Sequence, residues 1–221
     1  FKTYKNYLYG VADEGSSSLQ IFDLSFLPDS VHKVYDSQEF LIQSHNCFIA
    51  DGRLYICTPY VLGSTPELRI LDIATNPEKP TLLGDLNLGS GQGSHVHDLF
   101  VKNNIAYCSN GNAGLFIFDV ADPKNIKILA SITSYTDKDY NHSSWLSEDE
   151  KTLFFVDEKH GMRIKAFDVS DLSNIQQLSL FDERNPKHDS LMKVMDKLNG
   201  KSSNHLIKLA SQDLKRTWKM N

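Results

Sequence analysis

One phrase recurs four times along the chain and constrains its fold more than any other feature. The copies are LQIFDLS from Leu19, LRILDIA from Leu68, LFIFDVA from Leu115 and IKAFDVS from Ile164. The aspartates that they share, Asp23, Asp72, Asp119 and Asp168, are spaced by 49, 47 and 49 residues. A constant period of this length is typical of repeat proteins, in which each repeat buries its apolar faces against its neighbours.

Each phrase is one strand of a longer repeated unit. A second strand-like segment precedes it: YLYGVA, RLYICT, IAYCSN or TLFFVD. In three units a further strand opens with a histidine, His45, His97 or His142, and an outer strand such as IKILASI follows the aspartate. Asp51-Gly52 and Asn103-Asn104 suit tight hairpin turns with positive φ. A unit therefore consists of four short antiparallel strands in about 45–50 residues, the size of a kelch or WD40 blade.

The predicted fold is an all-β propeller of about four four-stranded antiparallel blades, the first of them incomplete because it lacks a histidine-led inner strand. The repeat region covers residues 1–186, in approximate units 1–40, 41–90, 91–137 and 138–186. A β-sandwich is the rival all-β fold, but sandwiches seldom repeat a four-strand phrase at a constant period. The shared aspartates end their strands, and their carboxylates are expected to accept backbone N–H bonds from the next turn.

The last 35 residues, 187–221, differ from the repeats. They carry a charge of +5, so residues 1–186 carry −10. Leu191, Val194, Met195 and Leu198 recur at helical spacing, which predicts a short basic helical tail of two helices. Two alternatives are a stray strand at His205-Leu206-Ile207 that completes the first blade, and the end of a longer protein that has been truncated or frameshifted.

Composition excludes several classes of function. The acidic repeat region disfavours nucleic-acid binding, since contacts to phosphate dominate that affinity. No segment approaches the roughly 20 apolar residues of a membrane span, and the opening FKTYKNYLYG is no signal peptide. Cys47, Cys57 and Cys108 form neither a CxxC pair nor a disulfide framework, and they are predicted to be small buried strand residues.

The repeated histidines are the main candidate for chemistry. Because innermost strands line the channel of a propeller, His45, His97 and His142 would form an arc at one channel mouth, with His95 on the same face as His97. Three neutral imidazoles can bind a divalent transition metal. The competing interpretation is structural, because a residue repeated in every blade often makes the same framework bond in each.

His95 and three further residues are candidate ligand contacts. Asp157 and Glu158 form a carboxylate pair at a strand end, and Trp145 offers an aromatic platform on an inner strand. The alternatives are solvated turn residues for the carboxylates and blade-to-blade packing for the tryptophan. No GxSxG, P-loop or HExxH motif is present, so the sequence favours a protein without catalytic activity and predicts no cofactor beyond a candidate divalent metal.

Two stretches carry a family resemblance. LFIFDVADPKN, 115–125, resembles the strand and aspartate-rich turn of LVIVD-repeat proteins, and YNHSSWLSEDEKTLFFVDE, 140–158, resembles a stretch of the choice-of-anchor B family. The resemblance covers about residues 7–183 and implies a bacterial, extracellular β-propeller. The chain departs from that family in two ways. It shows neither the signal peptide nor the C-terminal sorting region of the family, and its repeat stops after Pro186, where the family pattern would continue with another histidine-led strand.

Three hypotheses of function follow. The first is a non-catalytic repeat module of an exported or cell-surface protein that acts in protein or glycan interaction. The second is a metal-dependent hydrolase or lyase that uses the histidine cluster on a saccharide at the channel mouth. The third treats the chain as a fragment, which predicts either marginal stability or self-association through the open end of the propeller.

Overall fold

The computed structural model describes residues 1–88 and 95–179, together with Lys193, Val194 and Lys197. The chain divides into two compact units, Phe1–Leu178 and Ser179–Asn221. Four residues of the second unit are described, Ser179, Lys193, Val194 and Lys197; all four are exposed, and the last three are helical. Otherwise the predicted tail helices and the alternative strand at 205–207 lie outside the described residues. No helix in the described part of the chain is long and apolar enough to cross a membrane.

The first unit is built of four antiparallel sheets, each formed by four consecutive strands. Blade 1 contains β1 (Lys2–Tyr4), β2 (Tyr7–Gly10), β3 (Leu19–Asp23) and β4 (His32–Ser37). Blade 2 contains β5 (Cys47–Ala50), β6 (Arg53–Cys57), β7 (Leu68–Asp72) and β8 (Thr81–Leu86). Blade 3 contains β9 (Asp98–Lys102), β10 (Ile105–Ser109), β11 (Leu115–Asp119) and β12 (Lys127–Ile132). Blade 4 contains β13 (Asn141–Leu146), β14 (Thr152–Asp157), β15 (Lys165–Asp168) and β16 (Gln176–Leu178).

The prediction that blade 1 is incomplete is wrong. Strand β1 pairs with β2 and supplies the inner strand. Its register places Lys2 opposite Tyr9, as Phe48 lies opposite Tyr55 in blade 2. The strand has only three residues and no opening histidine, so the pattern of the other blades does not reveal it. The alternative strand at 205–207 therefore has no empty place in blade 1 to fill.

The backbone angles and hydrogen bonds of the turns repeat from blade to blade as predicted. Asp51, Gly52, Asn103 and Asn104 all have positive φ, between 49° and 71°, which confirms both tight hairpins. Each shared aspartate accepts a bond from the backbone N–H two residues later, at 2.8 Å in blade 1 and 2.9 Å in the other three. In blades 1, 2 and 3 the third and fourth strands are also interrupted by a register shift at the same place. The repeat is thus a repeat of hydrogen bonds as well as of sequence.

The hydrophobic core lies between blades rather than within them. Three clusters of buried side chains join blade 1 to blade 2, blade 2 to blade 3 and blade 3 to blade 4. Both faces of the middle strands are therefore buried in blades 2 and 3, as in β6 and β10. Among the described residues no cluster joins blade 4 to blade 1, and we call this arrangement of the four described blades the open array.

One repeat position is far more exposed in blade 4 than in the other three blades. The first residue of the shared phrase is fully buried in three blades, since Leu19, Leu68 and Leu115 are each 0% exposed. Its counterpart in blade 4, Ile164, is 55% exposed. Trp145 and Leu178 on the same face are 62% and 39% exposed. We call the surface formed by Trp145, Phe154, Ile164 and Leu178 the outer face of blade 4.

The cysteines lie inside these interfaces. Cys47 belongs to the cluster between blades 1 and 2, and Cys57 and Cys108 to the cluster between blades 2 and 3. All three are free and buried, which confirms the prediction. Burial raises the pKa of each thiol, because the thiolate would lose its hydration.

Candidate functional site

The inner strands bring the three repeated histidines into one row. Strands β1, β5, β9 and β13 are neighbours in this order, so equivalent residues of successive blades meet. The ring centroids of His45 and His97 are 4.0 Å apart, and those of His97 and His142 are 4.6 Å apart. His95 stands to one side, with its ring centroid 6.0 Å from that of His97.

A carboxylate closes each end of this row. Asp13 Oδ2 lies 2.8 Å from Nδ1 of His45, and Glu158 Oε2 lies 3.9 Å from Nε2 of His142. We call Asp13, His45, His97, His142 and Glu158 the histidine row. Asp13 and Glu158 both follow the second strand of a blade, and both are well exposed. The row is therefore buried at its centre and open to solvent at its two ends.

His97 is the buried centre of the row. It is 7% exposed, and its Nδ1 donates a hydrogen bond to the carbonyl oxygen of His142 at 3.0 Å. Burial lowers the pKa of His97, and the neighbouring imidazoles of His45, His142 and His95 lower it further, against the opposing effect of the carbonyl. The ring is therefore neutral at physiological pH, with its proton on Nδ1 and a lone pair on Nε2.

An irregularity in blade 4 positions His142. The register of β13 against β14 shifts between Asn141 and Ser143, so His142 is the extra residue of a bulge. Bulges of this kind redirect a side chain and are common next to functional sites. Two backbone hydrogen bonds between Asn141 and Gly111, of 3.0 and 3.1 Å, hold the bulge to blade 3.

Sequence reasoning missed two residues that shape the row. Tyr140 lies edge-on to His97, with ring centroids 5.4 Å apart. Its ring covers Gly111, where an added Cβ would lie 2.6 Å from the tyrosine and where φ is +55°. Only glycine fits this position without strain. Neither residue recurs in the other blades, so the repeat gave no signal for them.

Asp157 is part of the framework and not of the exposed row. It is 6% exposed, and its Oδ2 lies 3.1 Å from Nζ of the equally buried Lys165. Its carboxylate also accepts hydrogen bonds from the Tyr135 hydroxyl at 2.9 Å and the Asp139 N–H at 2.8 Å. The interpretation of Asp157 as a solvated turn residue is wrong, and no free carboxylate oxygen is left for a ligand. Of this predicted pair, only Glu158 is exposed.

Aromatic residues form a second row, three residues after each histidine. The ring of Phe100 lies 5.5 Å from Phe48 and 4.6 Å from Trp145, measured between centroids. Lys2, which occupies the same position in blade 1, places its ammonium 5.8 Å from the centroid of Phe48. Trp145 therefore packs against the preceding blade on one side, as the packing alternative predicted. Its other side belongs to the outer face of blade 4.

Family models match two separate segments of the chain. The LVIVD repeat matches residues 93–133, which include His95, His97 and the strands of blade 3. A domain of unknown function, DUF4113, matches residues 189–221, so the tail is similar to a different family from the repeats. Neither match covers half of the chain. No curated protein matches it in sequence.

Solved structures share the fold at low sequence identity. The periplasmic gluconolactonase of Pseudomonas aeruginosa matches with a TM-score of 0.55 and 11% identity, over 78% of this chain and 52% of that one. The computationally designed Ika8 protein matches at 0.52 and 10%, over 80% of this chain and 46% of that one. A putative 6-phosphogluconolactonase of Bacteroides fragilis matches at 0.51 and 11%, over 79% and 67%.

These likenesses concern the fold alone, and the chain spans only about half the length of the first two structures. They agree with the four consecutive four-stranded sheets, whose inner strands lie side by side. The LVIVD match places a known repeat on one complete blade. The chain is therefore a propeller repeat protein.

Proposed function

We propose that the first unit is a non-catalytic interaction module, and that its open end binds a second copy of the same chain. One observation carries the proposal: Ile164 is 55% exposed at a position that is 0% exposed in each of the other three blades. A repeat that buries its faces on both neighbours leaves the last blade with an apolar face that lacks a neighbour.

A second copy has the matching surface. We call the face of a blade that is turned toward the preceding blade its leading face, and the opposite face its following face. Within the chain, the following face of one blade packs on the leading face of the next. The leading face of blade 1 carries Leu8 and Phe22, which are only half-buried, at the positions of the fully buried Leu54 and Leu71 in blade 2. Blade 4 of one copy can therefore pack on blade 1 of the other through the contacts that already join blades 1 and 2.

The inner strands add a polar contact to this junction. In a head-to-tail arrangement, Trp145 of one copy meets Lys2 of the other, because these residues occupy equivalent positions on the inner strands. Lys2 already lies over the ring of Phe48 within the chain, so a cation–π pair with Trp145 continues the same row. Two junctions related by a twofold axis would close a ring of eight blades, within the usual range for propellers.

Replacing Ile164 with aspartate tests the proposal. The wild-type chain is expected to have the mass of a dimer in light scattering, and the Ile164→Asp variant that of a monomer, since a charge would be buried at both junctions. Ile128→Asp is the matched control, because Ile128 is 45% exposed on the outer strand of blade 3. The control should remain dimeric. A monomeric wild type, or equal masses for all three proteins, contradicts the proposal.

A glycan partner is the other outcome that the same surface allows. Trp145 is exposed and could stack on a sugar ring instead of on Lys2 of a second copy. A monomeric wild type whose binding to a glycan is lost in the Trp145→Ala variant would establish a saccharide-binding module and overturn the dimer. The resemblance of residues 140–158 to extracellular proteins supports export or cell-surface display of either module. Cell fractionation of the source organism tests this location.

A metal-dependent hydrolase or lyase is the second candidate function. The histidine row favours it, since His97, His142 and Glu158 could hold a metal ion, and a bound ion would supply the Lewis acid that such hydrolysis needs. Two of the three solved structures described above are named as lactonases, and both are only 11% identical to this chain. Turnover of a lactone or an oligosaccharide by the metal-loaded chain, lost in Glu158→Gln, would replace the non-catalytic module with this enzyme.

A further inference from the structure

The histidine row has a geometry that the interaction module does not require. The ligand atoms of His97, His142 and Glu158 all lie within 4.8 Å of one another. Two imidazoles and one carboxylate are the protein ligands of many catalytic zinc sites. We propose that these three side chains bind one divalent transition-metal ion, with Zn²⁺ the best match.

The central ligand is already oriented for this role. The hydrogen bond from Nδ1 of His97 to the carbonyl oxygen of His142 leaves Nε2 as the metal-binding atom. Metal-binding histidines commonly donate their second ring N–H to a carbonyl or carboxylate in this way, which fixes the tautomer and the ring orientation. Because His97 is buried against Tyr140, its ring does not have to be ordered when the ion binds.

The other two ligands have the freedom to close around an ion. Zinc bound at 2.0–2.1 Å to nitrogen and oxygen places ligand atoms about 3.3 Å apart, closer than the 3.9 Å between Nε2 of His142 and Oε2 of Glu158. The side chains of His142 and Glu158 are 38% and 62% exposed, and their facing atoms are 3.9 Å apart. Small rotamer changes of these two exposed side chains can therefore complete the site without moving the blades.

The choice of metal follows from the ligands. Imidazole nitrogen suits zinc and its transition-metal neighbours, whereas Mg²⁺ and Ca²⁺ prefer sites built of oxygen alone. Glu158 supplies one negative charge, and Asp13 supplies a second at the far end of the row. His45 is engaged by Asp13 at 2.8 Å, which leaves it beside the proposed site rather than in it. Three protein ligands leave the remaining coordination positions open to solvent.

The site is tested by titrating the chelator-treated full chain with Zn²⁺, Mg²⁺ and Ca²⁺ in a calorimeter. The wild type is expected to bind one Zn²⁺ per chain and neither of the other ions. His142→Ala and Glu158→Gln should each weaken Zn²⁺ binding by about tenfold or more, since each removes a direct ligand. Far-UV circular dichroism of both variants should match the wild type, because both side chains are exposed.

A matched control distinguishes a specific metal site from nonspecific binding of Zn²⁺ by surface histidines. His160 lies two residues after Glu158 in the same blade and is exposed. The His160→Ala variant should bind Zn²⁺ as the wild type does. Absence of Zn²⁺ binding by the wild type overturns the proposal, and so does equal binding by the wild type and the Glu158→Gln and His142→Ala variants. The dimer of the proposed function would survive either result, because the row lies outside the outer face of blade 4.

Discussion

Replacing Asp157 with alanine is expected to lower the free energy of unfolding by about 3–5 kcal/mol. The change would leave the ammonium of Lys165 buried without its counter-ion and remove the acceptor of the Tyr135 hydroxyl and the Asp139 N–H. Breaking one side of a buried ion pair costs this much because the remaining charge cannot regain its hydration. Urea denaturation followed by circular dichroism measures the loss.

Glu158, the residue after Asp157, provides the control. Glu158 is exposed, and Glu158→Ala in the presence of a chelator should change the unfolding free energy by no more than about 0.5 kcal/mol. Adding Lys165→Met to Asp157→Ala should recover part of the lost stability, because the double variant no longer buries an unpaired charge. A loss below about 1 kcal/mol for Asp157→Ala would mean that the pair is solvated and would contradict its place in the core.

Alanine at Phe118 and at Phe22 should have very different effects, although both residues precede the aspartate of the shared phrase. Phe118 is 0% exposed in the cluster between blades 2 and 3, so Phe118→Ala is expected to cost about 3–5 kcal/mol. Phe22 is half-buried on the leading face of blade 1, so in the dilute monomer its replacement should cost less than half as much.

The stabilities of the Phe118→Ala and Phe22→Ala variants should also depend differently on protein concentration. Phe22→Ala should weaken the dimer, because the second copy covers Phe22 in the proposed junction, whereas Phe118→Ala acts within each chain. Thermal unfolding at several protein concentrations separates the two effects. Equal losses of stability for the two variants at low concentration would show that blade 1 is covered within the monomer, against the open array.

The blades could be predicted from the sequence because each blade repeats the same short-range sequence signals. The LxIFD phrase, the hairpin pairs Asp51-Gly52 and Asn103-Asn104, and the strand-end aspartates each act within a few residues. The strand or turn that each of these signals predicts therefore does not depend on the rest of the fold. The same repetition predicts that His45, His97 and His142 lie side by side, and the structure brings the ring centroids of neighbouring histidines within 4.0 and 4.6 Å.

The features that the sequence did not reveal depend on contacts between blades or on residues that occur once. Strand β1 is three residues long and is recognisable only by its pairing with β2. Tyr140 and Gly111 come from different blades and make a contact that no repeat predicts. Asp157 resembles a turn residue in sequence, and only the position of Lys165 eight residues later shows that it is buried and paired.

The central claim is that the open array closes head to tail with a second copy, and mixing two damaged chains tests it most directly. Phe22→Asp places a charge on the apolar leading face of blade 1, and Ile164→Asp places a charge on the outer face of blade 4. Each variant alone has two damaged junctions and should be a monomer in sedimentation velocity. An equimolar mixture can form one intact junction and should sediment as a heterodimer. A mixture that stays monomeric while the wild type is dimeric would contradict head-to-tail closure, as would a monomeric wild type.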